Sequence, residues 1–182
     1  MKYIPLIACV TFASAGVTYA ANEATAGPFS GEVTVFPGNT APLAQTPSPD
    51  NTALSLLFQG LQVVRQGDGS RSDANHLALR IPLTISAPSR IKAELRGGIA
   101  ADSGVECRLS LDGPDGRAVF MSRQAPQAHL KTVIPVSVSD NELKLLIGVR
   151  CTGRIGTHPV FVASVDSLDL SLEAPTKPLR HR

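Results

Sequence analysis

HLALRIPLTISAPSRIKAELRGGI, the stretch from His76 to Ile99, decides the fold. Leu77, Leu79, Ile81, Leu83 and Ile85 occupy every second position, with His76, Ala78, Arg80, Pro82, Thr84 and Ser86 in the gaps. After Ala87-Pro88-Ser89 the alternation resumes, Ile91, Ala93, Leu95, Gly97 and Ile99 against Arg90, Lys92, Glu94 and Arg96. A period of 2 belongs to a β-strand with one buried face, and the spacing predicts two strands joined as a hairpin with a common apolar side. A one-residue slip would turn five aliphatic side chains into water, so the register is strongly specified.

The same period recurs on both sides. Leu54, Leu56 and Phe58 share a face, and Leu61 and Val63 continue in the opposite parity, as a bulge at Gly60 would produce. Val105, Cys107, Leu109 and Leu111 form another inward row, followed by a tight reversal at Asp112 to Gly116 and a return strand from Arg117 to Ser122. Further rows are Leu130, Thr132, Ile134, Val136 and Val138, then Leu143, Leu145, Ile147, Val149 and Cys151. The last runs through Phe161, Ala163 and Val165, changes parity at Asp166-Ser167, and ends with Leu168, Leu170 and Leu172. No stretch has a sustained helical period. These features predict an all-β domain over residues 52–173: a two-sheet antiparallel β-sandwich of about eight strands. Pro82 and Pro135 interrupt good strands without a donor N–H, which places both on edges or at bulges.

The ends of the chain read differently. Residues 1–20 have the layout of a signal peptide: Lys2, an apolar run from Leu6 to Val17, and small residues at Thr18 and Ala20 before a cut. An alternative reading makes Leu6-Ile7-Ala8-Cys9 a lipobox with Cys9 as the lipidation site, although the apolar run continues past it. Residues 21–51 form a Pro-rich leader in which Gly31 to Phe36 alternates as an edge strand would, or as a donor strand completing a neighbouring subunit would. Residues 174–182 form a basic tail expected to be disordered. No stretch after the leader is long and apolar enough for a transmembrane helix, and the expected location is secreted or periplasmic.

Removal of a signal peptide takes Cys9 with it and leaves Cys107 and Cys151, both in the inward parity of their strands. An even pair in an oxidising compartment predicts one buried disulfide between strands. A reactive thiol pair would call for close C-x-x-C spacing and cationic neighbours, which are missing.

Ser48-Pro49-Asp50, followed by Leu54, Leu56 and Phe58 and then by Leu79-Arg80-Ile81-Pro82-Leu83, resembles the opening of a family of small secreted proteins of unknown function. The resemblance implies a signal peptide, a turn at Ser48-Pro49-Asp50 before the first long strand, and a strand of the form Cys-x-Leu-x-Ile-Pro-Leu. Leu77 stands where that cysteine would be, and no Gly-Cys-Pro occurs in the N-terminal segment, so one family cysteine pair is absent together. The later family cysteines fall on Cys107 and Cys151. The resemblance spans about Ser48 to Cys151 and implies no activity.

Composition narrows function mainly by exclusion. Both tyrosines, Tyr3 and Tyr19, lie in the signal segment and the chain has no tryptophan, leaving phenylalanine as the only large aromatic for stacking on sugars or bases. A net charge of +2 without a basic cluster interleaved with aromatics does not describe a nucleic-acid binder. There is no His-Glu-x-x-His, no Gly-x-Ser-x-Gly and no phosphate-cradling glycine motif, so neither catalysis nor a cofactor is expected. His76, His129, His158 and His181 are scattered, and no metal site is expected. Asp68, Ser70, Ser72 and Asp73 lack the glycine and closing glutamate of a calcium loop. Asp102, Ser103 and Glu106 with a histidine make only a combination that any chain of this length offers.

Arg80, Arg90, Lys92, Arg96 and Arg108 all occupy outward parity, with Glu94 and Glu106 among them. On neighbouring strands they would form a basic face, either a solubilising surface of cross-strand ion pairs or a shallow site for an acidic envelope polysaccharide or envelope protein. The expected function is therefore a non-enzymatic binding or structural component of the cell exterior, the alternative being a carbohydrate-binding or other ligand-recognition module.

Overall fold

The computed structural model describes residues 27–29, 31–36, 43–66, 72–153 and 160–173. The signal segment with Cys9, the 67–71 loop, His158 and the 174–182 tail lie outside them. The described residues form eleven strands. The leader supplies β1 (Thr34–Phe36) and β2 (Leu43–Pro47), and the first apolar row splits into β3 (Ala53–Phe58) and β4 (Gln62–Gln66). They are followed by β5 (Ser72–Pro82), β6 (Ser89–Ala101), β7 (Val105–Gly113) and β8 (Gly116–Ser122). The chain continues with β9 (Gln124–Val136), β10 (Glu142–Gly153) and β11 (Val160–Leu172).

A front sheet in the order β1-β5-β10-β7-β8 faces a back sheet in the order β2-β3-β11-β6-β9, with β4 also pairing β11. Among the described residues every strand pairing is antiparallel. The inward rows meet between the sheets: Leu77, Leu79, Ile81, Leu145 and Leu109 from the front, and Leu54, Leu56, Ile91, Leu95 and Leu168 from the back, are all buried. Among the described residues no helix is long and apolar enough to cross a membrane. The architecture is the antiparallel two-sheet sandwich that the alternating rows predict.

Two expectations are corrected. β5 and β6 do not form a hairpin: they lie in different sheets, and Leu83 to Pro88 carries the chain from one to the other. The connection's N–H groups bond elsewhere, Leu83 to the Asn141 carbonyl at 2.9 Å and Thr84 to the Pro28 carbonyl at 3.0 Å. Each strand buries one face, as its period requires, but a period of 2 does not say whether two such faces lie side by side or face to face. The row ending at Val138 is also shorter than expected. β9 stops at Val136, and Val138 is 56% exposed in the turn that follows.

The parity changes at Gly60 and at Asp166-Ser167 lie opposite each other. β11 pairs β4 through Ser164 and β3 from Ser167 onward, and its register against β6 shifts between Val165 and Ser167. Gly60 has a φ of 88°, which a glycine accepts without strain. A third irregularity, between Gly97 and Ile99 where β6 pairs β9, continues the line across the back sheet. There β6 presses on β11 so closely that a Cβ on Gly97 would sit 2.0 Å from the Ser164 carbonyl oxygen. Pro135 lies on the edge strand β9 and Pro82 ends β5, beyond its pairing with β1.

The leader is tied into both sheets. β1 pairs β5 at the front edge and β2 pairs β3 at the back edge, while Phe29 and Val33 join the core. Gln45 on β2 spans the gap, accepting from the Val33 N–H at 3.0 Å and donating to the Gly31 carbonyl at 2.8 Å. Ser48-Pro49-Asp50 forms the turn before β3. The Asp50 carboxylate accepts from Ser48 Oγ at 2.7 Å and from the Thr52 N–H and hydroxyl at 3.1 and 2.9 Å, which lowers its pKa to about 2.

The Cys107–Cys151 disulfide forms as expected. Its cysteines are fully buried and directly opposite each other on β7 and β10, with Cα atoms 4.0 Å apart. The bond closes a loop of sequence separation 44, for which chain entropy alone predicts about 4 kcal/mol of stabilisation. The double variant Cys107→Ala/Cys151→Ala should therefore show a urea midpoint lowered by the equivalent of about 2–5 kcal/mol. Gly97→Ala should cost about 3 kcal/mol by overpacking the β6–β11 approach. Gly98→Ala, whose Cβ meets nothing closer than 3.4 Å, should cost well under about 1 kcal/mol in the same denaturation series.

Candidate functional site

The structure divides the five cations of the expected basic face. Arg90, Lys92 and Arg96 project from β6 on the back sheet, whereas Arg80 on β5 and Arg108 on β7 project from the front. Two outer surfaces result, with different electrostatics.

On the back, Glu94 is a hub. Its side chain is 14% exposed and its oxygens lie 2.6 Å from Lys92 Nζ, 3.3 Å from Lys131 Nζ, 2.9 Å from His129 Nε2 and 3.5 Å from Arg96 Nη2. Arg96 also reaches Asp169 at 3.4 Å, and Arg90 pairs with Glu173 at 3.0 Å. The hydrogen bond from Lys92 above all, then those from His129 and Lys131, hold the Glu94 carboxyl at about 2 against an ordinary 4.5, in spite of partial burial. This is a sheet face whose cations are paired with carboxylates both along β6 and across to neighbouring segments.

The front face has a hollow because its central strands carry small residues outward. Ala74 and Ala78 on β5, Gly148 on β10 and Ser110 on β7 form a low floor. Around it stand Phe36 from β1, His76 and Arg80 from β5, Lys144, Leu146 and Arg150 from β10, and Arg108 from β7. Arg117 and Val119 complete the rim from β8. One hollow of 850 Å³ lies between Phe36, Arg80, Lys144, Leu146 and the turns at Gly113–Asp115 and Ser139–Asn141. A second, of 250 Å³, lies over Gly148 and Ser110 between His76, Arg108 and Arg150. Leu146 and Asp112 border both, so the two adjoin as a trough across neighbouring strands, the larger end of which also reaches Pro135 and Val136 of β9 at the end of the sandwich.

Some of its polar groups are tied down. Arg117 makes a forked pair with Asp112, Nε to Oδ1 at 2.5 Å and Nη2 to Oδ2 at 2.6 Å, which raises the guanidinium pKa further. Lys144 lies 3.2 Å from Glu142. Arg80 lies over the Phe36 ring, its Cζ 5.1 Å from the centroid. Phe36 is 43% exposed.

Among the described residues Asp102, Ser103 and Glu106 do not assemble with a histidine. Asp102 instead closes the approach to β11, accepting from the Val160 N–H at 3.0 Å. Among the described residues no three His, Cys, Asp or Glu side chains gather to hold a metal. The trough residues missing from the sequence reading are Phe36, Lys144, Leu146, Gly148 and Arg150. Outward parity on β10 marks the last four, but their neighbours on β5 and β7 come from distant parts of the chain.

No protein-family model matches the chain, and no curated protein does. Solved structures similar to it include a family 61 carbohydrate-binding module in complex with β-1,4-galactotriose, at 12% identity and a TM-score of 0.38, covering 82% of this chain and 93% of that one. A family 36 module of a multidomain xylanase from the hindgut metagenome of Trinervitermes trinervoides matches at 13% identity and a TM-score of 0.34, covering 80% and 100%. The C-terminal family 6 module of LamC, a marine laminarinase from Zobellia galactanivorans, matches at 10% identity and a TM-score of 0.27, covering 77% and 99%. Identities this low give no residue-by-residue correspondence for the trough.

The back-face hub makes stability depend on acidity. Because the Glu94 pKa is depressed on folding, its contribution is complete above about 4.5 and is lost as pH falls toward 2. Denaturant midpoints measured from pH 5 down to pH 2 should fall more steeply for the unmodified protein than for Glu94→Gln. The difference should be about 1 kcal/mol or less, as screening at a surface dictates.

Proposed function

We propose that the protein is a non-catalytic polysaccharide-recognition module of the cell exterior, and that the outer face of the front sheet is its binding site. The observation that carries this reading is the open trough over Ala78, Gly148 and Ser110, with Phe36 and Leu146 beside arginine, histidine and lysine side chains. A trough that crosses strands and stays open along its length suits an extended chain lying on the sheet better than a small molecule enclosed in a cavity. Sugar rings present apolar faces and polar edges, and walls that mix an aromatic ring with forked donors match both.

Three of the four sheet edges, all but β8, favour ligand recognition over a structural role built on strand addition. β1 has three residues and is paired within its own chain, β2 ends at Pro47, and β9 carries Pro126, Lys131 and Pro135. Short edges, proline and lysine are the features that block edge-to-edge pairing.

Native gels containing a panel of neutral and acidic polysaccharides test the reading. At least one polymer should retard the protein, with affinity reduced about tenfold, equivalent to about 1.4 kcal/mol, by Phe36→Ala and unchanged by Leu57→Ala on the back sheet. Migration unaffected by every polymer would overturn it.

A further inference from the structure

The two outer faces treat their cations differently. On the back, Arg90, Lys92, Arg96 and Lys131 each lie against a carboxylate. On the front, Arg108 and Arg150 are directly opposite each other on β7 and β10, and no carboxylate among the described residues pairs with either. Glu106, two positions from Arg108 on the same face, is not within ion-pair distance of them, and Asp112 is engaged by Arg117. Like charges facing each other across strands destabilise a sheet. A face built only for solubility would carry the compensation seen on the back.

From this juxtaposition we infer that Arg108 and Arg150 bind an acidic substituent, a carboxylate or sulfate, on the polysaccharide that occupies the trough; the inference rests on the polysaccharide-recognition reading. The two guanidinium groups flank the 250 Å³ hollow over Gly148 and Ser110, which has room for one charged substituent. Guanidinium donors match the oxygens of a carboxylate or sulfate in pairs, and an anion between two arginines removes their repulsion. Ser110 and His76 border the same hollow and add polar contacts to the sugar that carries the group. The repulsion is thus a cost to the free protein that ligand binding relieves.

The test compares polygalacturonate, dextran sulfate, neutral galactan and neutral dextran in titrations at low and high salt, with melting temperatures of the free proteins. At low salt an acidic polymer should bind at least tenfold more tightly than either neutral one, and the preference should shrink with added salt. The carboxylate and sulfate polymers distinguish the two chemistries. Arg108→Gln and Arg150→Gln should each weaken acidic-polymer binding about tenfold, whereas Arg96→Gln on the back, with the same change in net charge, should leave it within twofold. Arg150→Glu should abolish the acidic preference and raise the melting temperature by a few degrees, because the new carboxylate pairs with Arg108. Equal binding of neutral and acidic polymers, unaffected by these front-face changes, would overturn the acidic-group assignment and leave polysaccharide recognition standing. Binding to none of the four would overturn the acidic-group assignment, and recognition as such would then be judged by the wider gel panel. A lowered melting temperature for both glutamine variants would show that the arginines stabilise the free sheet, and would also overturn the assignment.

Discussion

The Cys107–Cys151 bond is the constraint on which the front sheet depends. It joins residues that are fully buried and directly opposite on neighbouring strands, so it fixes the alignment of β7 and β10. In an antiparallel ladder that pairing determines every other: Leu109 meets Val149, Leu111 meets Ile147, and on the outer side Arg108 meets Arg150 and Ser110 meets Gly148. A two-residue slip would keep the apolar rows inward while separating the arginines, and the covalent bond forbids it. The same bond that stabilises the fold therefore holds two positive charges together over a gap in the floor.

On the back sheet the cations are matched by carboxylates. Glu94 gathers four basic side chains, and Asp169 and Glu173 engage Arg96 and Arg90. Long side chains paired in this way cover the part of the sheet around Glu94. The front face instead has alanine, glycine and serine at the corresponding central positions, surrounded by cations and by Phe36. Both faces obey the same alternation, and they differ in side-chain length and charge compensation.

Inward residues were legible because burial imposes a period on them. The rows on β5, β6, β7, β10 and β11, the bulge at Asp166 and the placement of Pro82 and Pro135 all follow from which side chains avoid water and which backbone lacks a donor. Partnership was less legible. β5 and β6 adjoin in sequence yet face each other across the core, since the period describes one strand's two sides and nothing about its neighbour. The leader's β1 and β2, of three and five residues, are too short for a firm pattern, although Gly31 to Phe36 signalled one edge. The site was hidden for the same reason: its side chains lie on strands brought together by non-local pairing. The predicted disulfide held part of the answer, because pairing Cys107 with Cys151 puts the next outward residues, Arg108 and Arg150, opposite each other.

Backbone amide chemical shifts recorded during titration with oligogalacturonate test most directly that the front face is the binding surface. The account predicts changes concentrated at Ala74, Ala78, Arg108, Ser110, Gly148 and Arg150, with Lys92, Glu94, Lys131 and Asp169 unmoved. Changes centred on the Glu94 surface of the back sheet, with the front strands silent, would contradict it.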